Sequence, residues 1–439
     1  MSWAKEEVGA AELGDARRSR RLVRLVERLA EQPSASIPAA CAGAAETKAA
    51  YRLLSHEAVG WSDILAPHLA SSLRRMSAEP VVLCLQDTTE LDFNGQDIEG
   101  LGPLNYEAQR GMLLHATYAV SPARVPLGVL DAWMWARQPK QADGSRGGVL
   151  ESTRWVESYE RVAELAAGLP ATRLVCVGDR ESDMLALLAR ARDMGHAADY
   201  LLRSQYDRTL PEGGKLWKAV QGAAPLGRIG FELPAGRGRK ARVVQQEVRV
   251  QRVRLADRCG GHVEVTCLIA SEVDAPPGVK PVIWRLLTNR EAPTLEAAVE
   301  LIDWYRARWE AEVLFLTLKE GCRVEALQLS SVERIERALA VYLVVSWRIG
   351  LLMRLGRTCP DWDAERLLTR EEWQAAWIVA RKRPPDKTPT LRKALHMIAA
   401  LGGFLGRKGD GEPGVKSLWI GLQRVASCVE GMRFRERCG

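Results

Sequence analysis

Two apolar runs, VVLCLQD closing at Asp87 and LVCVGD closing at Asp179, each stop on a carboxylate and open a polar turn. Short apolar runs bounded by turn signals read as buried strands. The second leads into a helix beginning at Asp179 (RESDMLALLARARDMG), and a further strand, YLLRSQYDR, follows at about 200–205. LLHATYAV and PLGVLDAWMWAR have the pattern of hairpin neighbours to the first run. Strands followed by βα units in one sheet specify a mixed α/β core. In such a sheet, carboxylates at strand ends project into the crevice where sites are built. The plain alternative for each is a turn or N-cap aspartate, and Asp179 before RESDML fits that description too.

The segments on either side have a different period. LGDARRSRRLVRLVERLAEQ places Leu22, Leu25, Val26 and Leu29 on one side of a helix that Asp15 can cap, with six arginines at its start and on the other side. Residues 1–70 therefore read as a small basic helical domain. A core domain spans 71–330. Within it, residues 208–283 alternate apolar and charged positions about a PAGRGRK turn, which predicts an antiparallel β insertion with a basic face. A strand containing Trp284 and a long helix from about Thr294 follow. Residues 331–439 read as a helical C-terminal domain, interrupted at KRPPDKTPT and GRKGDGEPG.

Composition narrows the chemistry. With 439 residues, 47% apolar and 27% charged, the chain is globular and long enough for two or three domains. A clustered net charge of +7 favours an anionic partner. The nine cysteines are scattered without a CxxC or Cys/His cluster, so they read as reduced core thiols rather than zinc ligands. No apolar run approaches the roughly 20 residues of a membrane span. The N-terminus lacks the apolar core of a signal peptide. These features predict a cytoplasmic protein without a membrane partner.

In YRARWEAEVLFLTLKEG, Tyr305, Arg308, Glu312 and Lys319 project within roughly 60° of one another at helical spacing. Such a stripe is either a solvent strip with an Arg308–Glu312 pair or the wall of a site. Joined to Asp87 and Asp179, Glu312 makes a set of three carboxylates. Unneutralised they would repel one another. Two hard cations about 3.5–4 Å apart would relieve that and serve phosphoryl transfer.

These motifs resemble those of bacterial DDE transposases of the insertion-sequence four family, close to the transposon-five type. The family carries DTT after a strand, DRE(A/S)D, and a helix with Tyr, Arg, Glu and Lys in the register seen here; this chain has DTTELDF at 87, DRESD at 179, and Tyr305, Arg308, Glu312 and Lys319. LGDARRSRRL and KAAYRLL resemble the family's end-DNA-binding module, RGMLLH and WMWARQP its core, and ALGGFLGRK and LWIGLQRV its C-terminal dimer region. Val313 and Phe315 depart from it, replacing polar residues common beside the catalytic glutamate.

The resemblance implies an RNase H-like mixed sheet flanked by helices with an antiparallel β insertion, plus N-terminal and C-terminal helical domains. It implies that Asp87, Asp179 and Glu312 are catalytic and hold two Mg²⁺ or Mn²⁺ ions, with no organic cofactor. Tyr305, Arg308, Lys319 and Arg203 would contact DNA phosphates, Trp284 would stack on a flipped base, and Arg17, Arg18 and Arg21 would bind the terminal repeat. The basic insertion and RKRPPDK would add nonspecific phosphate contacts. The implied activity is cut-and-paste transposition by a synaptic homodimer acting on double-stranded transposon ends and target DNA, in the bacterial cytoplasm at the nucleoid. A catalytically silent DNA-binding regulator, or an RNase H-like nuclease that does not join ends, remains open on the residues alone.

Overall fold

Apolar runs without alternation suit strands covered on both faces, and VVLCL and LVCV take up that role. In the computed structural model, which describes residues 2–233, 240–257 and 260–438 with side chains as far as Arg435, Val81 to Leu85 pair in parallel with Arg173 to Val177. Of the expected PAGRGRK turn, residues 234–239 lie outside the described residues.

The chain begins with helices α1 (Trp3–Val8), α2 (Ala16–Glu31), α3 (Ile37–Ala40), α4 (Ala44–Leu54) and α5 (Trp61–Met76). Strands β1 (Val81–Asp92), β2 (Gly102–Pro103), β3 (Arg110–Val120) and β4 (Pro126–Trp135) follow, then α6 (Thr153–Ala167), β5 (Arg173–Gly178), α7 (Leu185–Asp193), β6 (Asp199–Arg203) and α8 (Leu216–Gly222). Next come β7 (Gly227–Leu233), β8 (Arg242–Ala256), β9 (His262–Val273) and β10 (Ile283–Thr288). The remainder is helical: α9 (Leu295–Arg306), α10 (Trp309–Leu316), α11 (Val332–Thr358), α12 (Arg370–Val379), α13 (Leu391–Leu401) and α14 (Val415–Cys438). The class is mixed α/β, with mostly antiparallel strand pairs and helices alongside.

Two compact units divide the chain: Met1–Met76 with Thr88–Gly148 and Glu310–Gly439, and Ser77–Asp87 with Val149–Trp309. In the second unit the strands run β1-β5-β6-β10-β9-β8-β7. The β1/β5 and β5/β6 pairs are parallel and the others antiparallel. The insertion thus extends this unit's sheet through β9, β8 and β7. Cys84 and Cys176 face each other in the parallel register as buried free thiols, and burial raises the pKa of Cys84 to about 12. Cys41, Cys267, Cys322, Cys359 and Cys428 are also free.

In the first unit β3 and β4 form the expected hairpin, with an irregularity at Thr117/Tyr118. β4 lies so close to α5 that a side chain at Gly128, whose φ is +155°, would collide with the Ser72 hydroxyl. α11 corrects the expectation about apolar length: it is long and apolar enough to cross a membrane, but 94% of its most apolar window is buried inside the protein. Around it pack α2, α5, α13 and β4, and its buried Arg337 donates to the carbonyls of Leu54 and Val59.

A buried polar cluster ties α1 to this core. The Glu7 carboxylate accepts hydrogen bonds from His68 Nδ1 at 2.5 Å and from Arg75 at 2.9 and 3.0 Å, while His68 Nε2 accepts from the Val129 amide at 2.9 Å. An imidazole that accepts at Nε2 and donates at Nδ1 is neutral. Burial holds the His68 pKa below its ordinary value despite Glu7. Burial also pulls Glu7 upward, but the bonds from His68 and Arg75 outweigh it and its pKa lies below the ordinary carboxylate value. Both groups take up protons more readily when unfolded, so this stability is present above the unfolded histidine pKa of about 6.5. It is lost progressively as pH falls below that value, with the Glu7 share lost at lower pH. The thermal midpoint should fall between pH 7.5 and 5, and His68→Gln should flatten that fall. Parallel curves for the two proteins would remove His68 as the cause.

Candidate active site

β1 does not stop at Asp87 as expected. Its parallel pairing with β5 ends at Leu85↔Val177, but the strand continues to Asp92, with β3 as its other neighbour. Asp87 and Asp179 each lie two residues beyond the last paired positions, Leu85 and Val177. Asp87 is buried, and its Oδ2 lies 2.6 Å from Arg308 Nη1. Asp179 is half-buried and also makes the turn contact considered for it, its Oδ1 accepting from the Glu181 amide at 2.8 Å. The strand-end and turn-cap descriptions of Asp179 therefore hold together.

The single long helix expected from Thr294 is two helices and a π turn. Thr294 caps α9 by accepting from the Ala297 amide at 3.3 Å. α9 ends at Arg306, Ala307 and Arg308 form a turn, α10 begins at Trp309, and Thr317–Gly321 is π-helical. Tyr305 is consequently buried at the end of α9 and Arg308 sits in the break, both in the second unit. In the first unit Glu312 is half-buried in the first turn of α10, and Lys319 lies in the π turn. Lys319 Nζ donates to the Glu90 carbonyl at 2.9 Å and pairs with Glu325 at 3.2 Å. The neighbouring carboxylates serve other purposes. Glu310 is buried and ion-paired with Arg354 of α11, while exposed Glu320 meets Lys416 at 3.6 Å.

Among the described residues, no three His, Cys, Asp or Glu side chains gather closely enough to hold a metal. Asp87 and Asp179 are oxygen donors of the kind a hard divalent ion takes, one or two carboxylates together with waters and phosphate. A cationic group, the Arg308 guanidinium, already rests on Asp87.

The remaining candidates are dispersed. Arg203 ends β6 opposite Leu286 of β10 and is half-buried. Half-buried Trp284 of β10 stacks on Phe231 of β7, with ring centroids 5.4 Å apart and planes within 13°. At the start of α2, exposed Arg17 pairs with the capping Asp15 at 3.0 Å, a bond that lowers the Asp15 pKa to about 2. Arg18 donates to the Leu13 carbonyl at 2.7 Å, and Arg21 is half-buried. Arg24 and Arg28 both bind Glu46 of α4.

The insertion does not present the bare basic face that its sequence suggested. Arg242 pairs with Glu272, Arg249 with Glu247, Arg252 with Glu264 and Glu291, and Arg254 with Glu212. Arg381, Lys382, Arg383 and Lys387, by contrast, are exposed. One residue escaped sequence reasoning altogether. Asp183, the second aspartate of DRESD, is fully buried and accepts from the Gln205 and Tyr206 amides at 2.6 and 3.1 Å. Its sequence signals are its place as the last letter of the DRESD motif and an acid just before the apolar helix α7.

Residues 1–59 match the family of transposase DNA-binding domains, and residues 344–438 match the transposase Tn5 dimerisation domain. At these two segments the chain is similar to the Tn5-type transposases. A solved piggyBac transposase, in a synaptic complex with hairpin DNA, is similar at 8% identity and a TM-score of 0.36, over 84% of this chain. This chain spans 57% of that one, and a likeness so slight says nothing about the site. Glu310 of α10 and Glu320 of the π turn should separate by stability. Glu310→Ala strips a half-buried Arg354 of its carboxylate and should cost about 3–5 kcal/mol, read as a lower urea midpoint at unchanged slope. Glu320→Ala, at an exposed pair, should cost about 0–1 kcal/mol. Equal effects would refute the structural role given to Glu310.

Proposed function

We propose that this chain is a cut-and-paste DNA transposase whose catalytic carboxylates are Asp87, Asp179 and Glu312. The observation that supports the reading is the parallel β1/β5 pairing, two residues past whose last pair lie both Asp87 and Asp179, in a chain whose ends are similar to transposase DNA-binding and Tn5 dimerisation domains. The parallel run β1-β5-β6, with an antiparallel insertion entering after β6, supports an RNase H-like core within residues 71–330, between helical segments 1–70 and 331–439.

In this reading Asp87 and Asp179 hold the divalent cations with Glu312 as the third carboxylate. The ions, two Mg²⁺ or Mn²⁺, supply Lewis acidity for in-line attack on a phosphodiester. Arg308 would offer its fork of donors to phosphate once it leaves Asp87, and Lys319 a point charge. Tyr305 and Arg203 add contacts to the reacting strand, and Trp284 takes the flipped base on its indole face. Arg17, Arg18 and Arg21 bind the terminal inverted repeat, and a second copy completes the synaptic dimer. The steps are end hydrolysis, hairpin formation and opening, and strand transfer into target DNA.

Incubation with Mg²⁺ and DNA bearing the element's inverted repeats tests this directly. Cleavage and joining should fall to background in Asp87→Ala, Asp179→Ala and Glu312→Ala, while end binding persists. Cleavage surviving in any of the three would remove that residue from the catalytic set.

A further inference from the structure

Asp183 is a carboxylate with no exposure to solvent, placed four residues after Asp179. Its Oδ2 takes the amides of Gln205 and Tyr206, its Oδ1 lies 2.6 Å from Arg208 Nη1, and Arg208 Nη2 returns a 2.9 Å bond to the Asp183 carbonyl. One buried side chain thus fastens the loop leaving β6 to the turn leaving β5. Those two strands are parallel neighbours whose last pair is Gly178↔Leu202, with Asp179 and Arg203 the next residue on each. The same loop is braced by Ser204, which accepts from Trp217 Nε1 at 3.0 Å and donates its amide to the Arg285 carbonyl at 2.8 Å.

The part of this loop that faces outward is aromatic. Tyr206 is 54% exposed, with the Arg208 guanidinium 5.4 Å from its ring centre. An exposed ring on a backbone tied down through its amide, beside arginine and three residues past the end of β6, is suited to stacking on a base. Burying a carboxylate is costly unless it is fully partnered, and apolar packing could fill such a position at no loss of stability. What apolar packing could not do is fix two consecutive backbone amides.

We propose that Tyr206 is a DNA contact that stacks on an unpaired nucleotide beside Asp179, and that Asp183 is the positioning residue that presents it. The inference rests on the transposase reading for its DNA partner. It needs neither metal nor cleavage for its test.

The probes are a 20-base-pair duplex with a splayed, 2-aminopurine-labelled end and the same duplex closed; the full-length protein is titrated with each in EDTA by fluorescence anisotropy. Wild type should prefer the splayed end. Tyr206→Ala, an exposed substitution that leaves folding intact, should reduce that preference about tenfold, and Tyr206→Trp should retain it. Asp183→Asn, which keeps one acceptor oxygen but not the charge, should reduce it similarly, and the double variant should lose no more than either single one. An unchanged preference in Tyr206→Ala overturns the contact. Additive losses overturn the link between Asp183 and Tyr206. Failure of wild type to bind either duplex overturns the DNA reading itself, and the contact with it.

Discussion

The parallel register of β1, β5 and β6 is the constraint on which the candidate chemistry depends. Leu85↔Val177 and Gly178↔Leu202 are the last pairs of the two parallel ladders, and Asp87, Asp179 and Arg203 follow just beyond them in sequence. Side chains alternate faces along a strand, so a slip of one residue would turn a carboxylate to the opposite side of the sheet. The register is held by strands buried on both faces, and Val82–Leu85 and Leu174–Val177 are almost wholly inaccessible. Apolar packing thereby sets the register from which the acids follow.

What the sequence disclosed, and what it hid, follows from how local each cause is. The buried strands were legible because their apolar runs are contiguous, and the cap at Asp15 because it acts within its own helix. The continuation of β1 past Asp87 was not: DTTELD looks polar, and its extended path depends on β3 and on Glu325, which accepts from the Asp92 amide at 3.0 Å. The break after Arg306 has no glycine or proline to announce it, so helical periodicity runs straight through. Separating Glu310 from Glu312 was possible from their angular offset alone, but the partner that buries Glu310, Arg354, lies a further domain segment along the chain. Asp183 was invisible for the same reason, since its amide donors follow the next strand.

The division into units adds an organisational point. The peptide passes from one unit to the other between Asp87 and Thr88, and again between Trp309 and Glu310. The aspartates, Arg203, Trp284, Tyr305 and Arg308 belong to one unit, while Glu312, Lys319 and the α2 arginines belong to the other. The segment YRARWEAEVLFLTLKEG is also one in which the chain changes units.

The arginines of β8 have a consequence for how this protein meets a polyanion. In sequence, RVQRVR reads as a string of charges awaiting phosphate, but Arg252 and Arg254 already rest against glutamates, as do Arg242 and Arg249. Only a cation that neutralises a phosphate displaces the ions condensed on DNA, each such contact steepening the salt dependence of binding by about one power of concentration. An arginine matched to a glutamate must first give up that partner before it can do so. The affinity of this chain for DNA should accordingly be less sensitive to ionic strength than a count of its basic residues implies.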